Sequence, residues 1–77
     1  MEDFKRYLKS LGLCDKSISD DMSRINTMVK REIDFKRDIE YVEDALYALD
    51  GTELELKEST KKSCLRLCRR YHEFISK

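Results

Sequence analysis

The chain contains no proline and only two glycines, Gly12 and Gly51, in its 77 residues. Because these two residue types are the strongest interrupters of regular structure, long stretches run without a break. Hydrophobic residues make up 40% of the chain and charged residues 42%, a balance that suits helices with one apolar and one solvated face. A chain this short forms one domain with a small core. We therefore expect residues 1–77 to form a single all-α domain, a compact four-helix bundle.

The first half of the chain predicts two helices. Apolar residues spaced by three and four indicate a helix from about Glu2 to Leu11, which Gly12 ends. A second helix begins near Asp15 or Ser17, either of which is a suitable cap. It fades between Val29 and Phe35, and Ile33 and Phe35 are expected to insert into the core from the following loop. The second helix has an apolar stripe of Ile18, Met22, Ile25 and Val29, with Met28 beside it.

The second half predicts two more helices. Asp38 caps the third, which ends at Asp50–Gly51. The stretch 52–57 is expected to be a loop, and Ser59 or Thr60 caps the fourth helix. Helices two and four are expected to be the longest. The third helix has a stripe of Ile39, Val42, Leu46 and Leu49, and the fourth a stripe of Cys64, Leu67, Cys68, Tyr71, Phe74 and Ile75.

The formal net charge is zero, but the charges are separated along the chain. Residues 32–56 contain two basic and nine acidic residues, whereas residues 57–77 contain seven basic and two acidic residues. A basic end is suited to phosphates or to an acidic protein face. The zero total argues against strong non-specific binding of nucleic acid.

Two segments carry a resemblance to a known family. The first is FKRYLKSLGL, residues 4–13, followed by Asp15–Ile18 and by Arg24–Asn26; the second runs from Ser59 to Ile75. Together they resemble the core-binding domain of tyrosine recombinases, or phage integrases. That domain opens with an F-x-x-Y-L-x-x-x-G-L pattern and closes with a helix that begins Ser-Thr and ends in aromatic residues. Cys14 stands where the family usually has a capping serine, and Asp20 and Asp21 add acid to the second helix.

The resemblance implies a sterile-alpha-motif-like bundle that lies against duplex DNA through its second and fourth helices. In that family a separate domain carries the catalytic residues, and these 77 residues contain no counterpart of it. The predicted function is therefore a non-catalytic DNA-binding module that contacts the phosphate backbone. In the fourth helix, Lys62, Arg66 and Arg69 form one stripe. The full set of predicted DNA-contacting residues is Lys16, Arg24, Lys61, Lys62, Arg66, Arg69 and Arg70.

A protein-interaction module is the alternative function. In this reading the chain is an adaptor or inhibitor with the same helical fold and no affinity for DNA. The acidic third helix, with Glu40, Glu43 and Asp44, would bind the partner protein. Tyr41 and Tyr47 lie off the apolar stripe of that helix and would contribute to the same surface.

No catalytic or metal site is expected. Cys64, Cys68 and His72 follow one another at intervals of four on the fourth helix, an arrangement that can hold a soft metal. Structural zinc requires four ligands, however, and Cys14 is the only other obvious donor. The three residues also coincide with the apolar stripe, where cysteine packs as a small hydrophobe. We expect core packing, no cofactor, and no enzymatic activity, because no acid–base pair or phosphate loop can be assembled.

The chain is expected to be cytoplasmic. No apolar run approaches the roughly 18 residues that a membrane helix needs. The first ten residues, MEDFKRYLKS, are charged throughout and do not resemble a signal peptide. An odd number of cysteines without a secretion signal indicates reduced thiols.

Overall fold

A computed structural model describes residues 2–76 and contains four α-helices. They are α1 (Glu2–Ser10), α2 (Asp15–Lys30), α3 (Ile39–Tyr47) and α4 (Glu58–Ile75). No strand occurs between residues 2 and 76. The prediction of an all-α four-helix bundle is confirmed, and α2 and α4 are the longest helices, with 16 and 18 residues.

Helix α4 is the centre of the bundle, since it packs against each of the other three helices. Helix α1 also packs against α2. The radius of gyration is 12.4 Å, close to the roughly 11.5 Å expected of a compact chain of this length. This arrangement leaves one long side of α4 open to solvent beside α2.

The core contains side chains from all four helices and from the loop between α2 and α3. Near the ends of α1 and α4, Phe4 packs edge-on against Tyr71, and Tyr7 packs against Phe74, with ring centroids 5.2 Å apart in both pairs. The buried hydrophobic residues are Phe4, Leu8, Ile18, Ile25, Met28, Ile33, Phe35, Val42, Leu46, Cys64, Leu65, Leu67 and Cys68.

The buried face of α2 differs from the predicted stripe. Met28 is fully buried, whereas Val29 is 55% exposed. Asp21 is buried as well. The reason is that α2 packs against α4 as well as α1, which turns its buried arc toward Asp21 and Met28 and leaves Val29 in solvent. The ends of two predicted stripes, Leu11 and Ile75, are also exposed because they lie beyond the last turn that a neighbouring helix covers.

The helix ends match the predictions in part. The Asp38 carboxylate accepts a hydrogen bond from the Tyr41 backbone N–H at 3.2 Å, as expected of a cap. Gly12 has a φ of +87° after α1. Helix α2 begins at Asp15, one of the two predicted positions. The predicted caps of α2 and α4 are wrong, since Cys14 and Lys57 occupy the N-cap positions and neither side chain caps the helix. Helix α3 ends at Tyr47, three residues before the predicted stop.

The loop between α2 and α3 contributes to the core as predicted. Ile33 and Phe35 are 5% and 6% exposed. The Phe35 ring packs edge-on against Tyr71 of α4, with centroids 5.3 Å apart. One ring nitrogen of His72 lies 3.2 Å from the Lys36 carbonyl oxygen. These contacts fix the loop against α4 and set the position from which α3 begins.

Candidate nucleic-acid interface

The fourth helix presents an unpaired basic stripe to solvent. Lys62, Arg66 and Arg69 are all exposed, and no acidic group within residues 2–76 forms an ion pair with them. They lie on the side of α4 opposite to the buried Cys64 and Cys68, as the helical spacing predicted. A rise of about 1.5 Å per residue makes this stripe about 10 Å long. Its charges are free to meet an external anion.

Lys16 in the first turn of α2 is a further cation that was predicted to contact DNA. It is exposed and, among the described residues, forms no ion pair. It precedes Ser17, a residue that lines the groove between α2 and α4. Lys16 is one position, about 100° round the helix, from Ser17, and 46 residues before Lys62 in the chain.

Two further arginines are held by one buried acid. The Asp21 side chain is 10% exposed; one carboxylate oxygen lies 3.4 Å from Arg24 Nη1 and the other lies 3.5 Å from Arg70 Nη1. Both arginine side chains keep about a third of their surface exposed. Asp21 thus links α2 to α4 and leaves each guanidinium partly available on the outside.

A polar groove of about 210 Å³ separates α2 from α4 at this position. Arg66 and Arg70 line it from α4, and Arg24 lines it from α2. Asp20 lies in the same lining, so three guanidiniums and two carboxylates share the groove. The remaining lining residues are Leu13, Ser17 and Asp21.

Lys61 was predicted to contact DNA, and the structure contradicts this role. The residue is only 3% exposed. Its ammonium group pairs with the Asp50 carboxylate and lies 4.2 Å from the centre of the Tyr47 ring. The reason is the direction of residue 61 on the helix. It faces α3 and is covered by the end of α3 and by the segment that follows it. Its charge stabilises the junction of α3 and α4 and is closed to an external phosphate.

Arg31 is a cation that sequence reasoning missed. Its guanidinium donates hydrogen bonds to the backbone carbonyls of Leu54 and Thr27, at 2.9 and 3.1 Å, and no carboxylate within residues 2–76 forms an ion pair with it. It follows Arg24 by seven residues, which places both on one side of a helix. That spacing was the available signal. Arg31 extends the positive charge of this surface toward the end of α2.

Of the residues considered for a metal site, Cys64 and Cys68 lie in the core, whereas His72 is half-buried and Cys14 is exposed. Cys64 and Cys68 are fully buried, and burial raises the pKa of the Cys68 thiol to about 12. Burial also raises the pKa of Cys64, a rise that the nearby Arg24 and Arg31 charges oppose. The exposed Cys14 thiol lies 3.4 Å from the Ser17 hydroxyl, and this hydrogen bond lowers its pKa. Among residues 2–76, no three His, Cys, Asp or Glu side chains are grouped so as to hold a metal ion.

The acidic face of α3 is exposed, but its two tyrosines are engaged within the chain. Glu40, Glu43 and Asp44 point to solvent. Arg37 covers the Tyr41 ring at 4.0 Å. The Tyr47 hydroxyl donates a hydrogen bond to the Glu58 carboxylate, which raises the pKa of Tyr47 to about 12. This surface is therefore acidic, with its aromatic side chains already in contact with charged neighbours.

Comparisons with known proteins add no relative. No protein-family model matches the chain, and neither a curated protein nor a solved structure is significantly similar to it. None of the helices within residues 2–76 has both the length and the apolar character needed to span a membrane.

Proposed function

We propose that this chain is a non-catalytic DNA-binding module. The proposed interface is the surface formed by α2 and α4, which we call the α2–α4 surface; its cations are Lys16, Arg24, Lys62, Arg66, Arg69 and Arg70. This assignment agrees with the resemblance to the core-binding domain of tyrosine recombinases, in which the second and fourth helices face the duplex. The proposal includes a cytoplasmic location, in keeping with three free thiols.

The unpaired stripe of Lys62, Arg66 and Arg69 is the observation that supports the proposal most. Some surface cations of this chain pair with its own acids, as Lys5 does with Glu2. These three have no such partner within residues 2–76. Phosphate contacts supply most of the affinity of a sequence-independent DNA interface. A free stripe of this kind provides the charges that such contacts require.

The acids on the α2–α4 surface are fewer than its cations. Asp21 is buried under the two arginines that it holds. The exposed carboxylates of α2 and α4 are Asp15, Asp20, Glu58 and Glu73. The surface therefore keeps a positive balance, although the whole chain has none. We expect modest, salt-sensitive affinity for a duplex.

A gel-shift titration of duplex DNA at two salt concentrations tests the proposal. The wild-type chain is expected to bind, and raising the salt should weaken binding because counterion release contributes to affinity. The double charge reversal Arg66→Glu/Arg69→Glu should abolish the shift. Both side chains are exposed and form no ion pair within residues 2–76, so circular dichroism of this variant should match the wild type.

The matched control reverses two charges on α3. Glu40→Lys/Glu43→Lys changes the net charge by the same amount in the opposite sense, on a face that the proposal leaves away from DNA. This variant should bind as the wild type does, or more tightly through long-range attraction. The proposal is wrong if the wild type gives no shift on any duplex at tens of micromolar, since non-specific binders usually reach about 10⁻⁴–10⁻⁶ M.

A protein-interaction module is the second candidate. Its support is the exposed acidic face of α3, where Glu40, Glu43 and Asp44 form no ion pair within residues 2–76. A basic protein surface is the partner that this charge suits. In that case the α3 reversal abolishes partner binding, and the α4 reversal has no effect.

A further inference from the structure

We propose that the groove between α2 and α4 is a phosphate clamp, in which Arg24, Arg66 and Arg70 together hold one phosphate of the DNA backbone. Asp21 is the positioning residue that orients two of the three guanidiniums. This inference rests on the proposed function and goes further, because it names one site and the geometry of its contact.

The groove brings together charges that are far apart in the chain. Arg24 belongs to α2, whereas Arg66 and Arg70 are one turn apart on α4, and all three line the same groove. Its volume of about 210 Å³ exceeds the roughly 30 Å³ that one water occupies in the liquid, so several water-sized groups fit inside. The four oxygens of a backbone phosphate match that size and the donor chemistry of the lining.

The Asp21 carboxylate fixes the direction of two guanidiniums. Each of its oxygens faces one arginine, Arg24 at 3.4 Å and Arg70 at 3.5 Å. A guanidinium has five N–H donors in a planar fork, so contact with a single carboxylate oxygen leaves other donors open. About a third of each arginine side chain stays exposed, and both residues line the groove. The arginines are thus oriented before a phosphate arrives.

The oriented guanidiniums of Arg24 and Arg70 distinguish this site from the α4 stripe, with which it shares Arg66. Arginine recognises phosphate through paired hydrogen bonds of fixed geometry, whereas lysine acts as a point charge. In the clamp, replacing arginine by lysine keeps the charge and removes the fork. At Arg69, which is outside the groove lining and unpaired within residues 2–76, the same replacement changes little, because only the charge acts there.

The test compares three charge-conserving variants, Arg70→Lys, Arg66→Lys and the control Arg69→Lys, by duplex binding across a salt series. Arg70→Lys and Arg66→Lys should each weaken binding about tenfold, the scale of a lost charge-assisted hydrogen bond. The dependence of affinity on salt should stay unchanged, since the number of neutralised phosphates is the same. Arg69→Lys should weaken binding much less than either of these, because its charge is kept and no oriented fork is lost there.

Two further variants test the role of Asp21. Asp21→Asn should weaken binding to the level of Arg70→Lys, and adding Arg70→Lys to it should cost little more. Asp20→Asn is the control, because Asp20 is exposed and has no ion pair within residues 2–76, and its loss should leave binding unchanged or tighter. Circular dichroism and thermal unfolding verify that each variant is folded. Arg66→Lys keeps the test decisive if changes at Asp21 or Arg70 unfold the chain, since Arg66 is exposed and has no ion pair among the described residues.

The outcomes separate the clamp from the proposed function. If the wild type binds and the Arg66, Arg69 and Arg70 variants bind equally well, the clamp is wrong and the DNA-binding module stands. Tighter binding by Asp21→Asn would mean that Asp21 only repels phosphate, which also contradicts the clamp. If the wild type binds no duplex, the proposed function and the clamp both fail.

Discussion

Adjacent residues at the start of α4 have opposite surroundings. Lys61 is buried, paired with Asp50 and in contact with the Tyr47 ring. Lys62 is exposed and unpaired within residues 2–76. Successive positions on a helix differ by about 100°, which here separates the junction with α3 from open solvent. The same type of side chain therefore stabilises the fold at one position and is available for binding at the next.

We predict that alanine at these two positions has opposite effects. Lys61→Ala removes a packed aliphatic stem together with its ion pair, and should lower the free energy of unfolding by about 1–3 kcal/mol. Binding of duplex DNA by the folded protein should stay unchanged. Lys62→Ala should alter the free energy of unfolding by less than about 0.5 kcal/mol. The salt slope, which is the slope of log affinity for DNA against log salt concentration, should become shallower by about one unit.

Urea denaturation and the salt series measure these two effects separately. A Lys61→Ala variant as stable as the wild type would contradict the structural role of that residue. A Lys62→Ala variant with unchanged DNA affinity and salt slope would remove Lys62 from the proposed interface.

At the scale of the element, α2 is followed by a residue, Glu32, whose backbone conformation is unfavourable for any side chain with a β-carbon. Glu32 has a φ of +58°, in the left-handed region that favours glycine. The Ile33 N–H donates to the Met28 carbonyl and the Glu32 N–H donates to the Val29 carbonyl, both at 3.0 Å. These two bonds form the Schellman motif that commonly ends a helix. The motif turns the chain so that Ile33 reaches the core.

We predict that Glu32→Gly stabilises the protein. Glycine adopts a positive φ without the steric cost that a β-carbon causes, so the free energy of unfolding should rise by about 0.5–1 kcal/mol after the greater freedom of the unfolded chain is counted. The control is Ser23→Gly at an exposed position inside α2, which should be destabilising by a similar amount. Urea denaturation of both variants is the measurement, and a loss of stability in both would contradict the role of the left-handed turn.

At the scale of the whole molecule, one side chain in the loop between α2 and α3 packs this loop against α4. Phe35 follows α2, precedes α3 and packs against Tyr71 of α4. A domain of 77 residues has a total stability of only about 4–12 kcal/mol. One well-packed aromatic residue is therefore a large share of what keeps the bundle folded.

We predict that Phe35→Ala lowers the free energy of unfolding by about 3–5 kcal/mol, the usual cost of removing a buried phenylalanine. The matched control is Leu54→Ala in the loop between α3 and α4, where the leucine is 47% exposed. That change should cost less than about 1 kcal/mol, because most of the side chain is already in water. Thermal and urea unfolding measure the free energy of unfolding of each variant, so that the loss at Phe35 can be compared with the loss at Leu54. Equal losses would contradict the assignment of Phe35 to the core.

The sequence by itself determined the number of helices and much of the core. Hydrophobic spacing and glycine at position 12 are local signals, and a helix responds to them within its own turns. The same holds for the Asp38 cap. The outward direction of Lys62, Arg66 and Arg69 also followed from the sequence, because a strongly amphipathic helix such as α4 has only one solvated side.

Only the tertiary structure decided which of the remaining charges are free. Arg24 and Arg70 lie at the borders of the solvated sides of α2 and α4, where a neighbouring element determines whether a side chain is covered. Lys61 lies on the buried side of α4, three and seven residues before Cys64 and Cys68. Asp21 and Arg70 are 49 residues apart, and no local pattern predicts that they pair. The burial of Met28 in place of Val29 has the same origin. Helical periodicity predicts which side of a helix is apolar. How far the buried surface extends around that helix depends on where the other helices pack against it, and this packing depends on the whole chain.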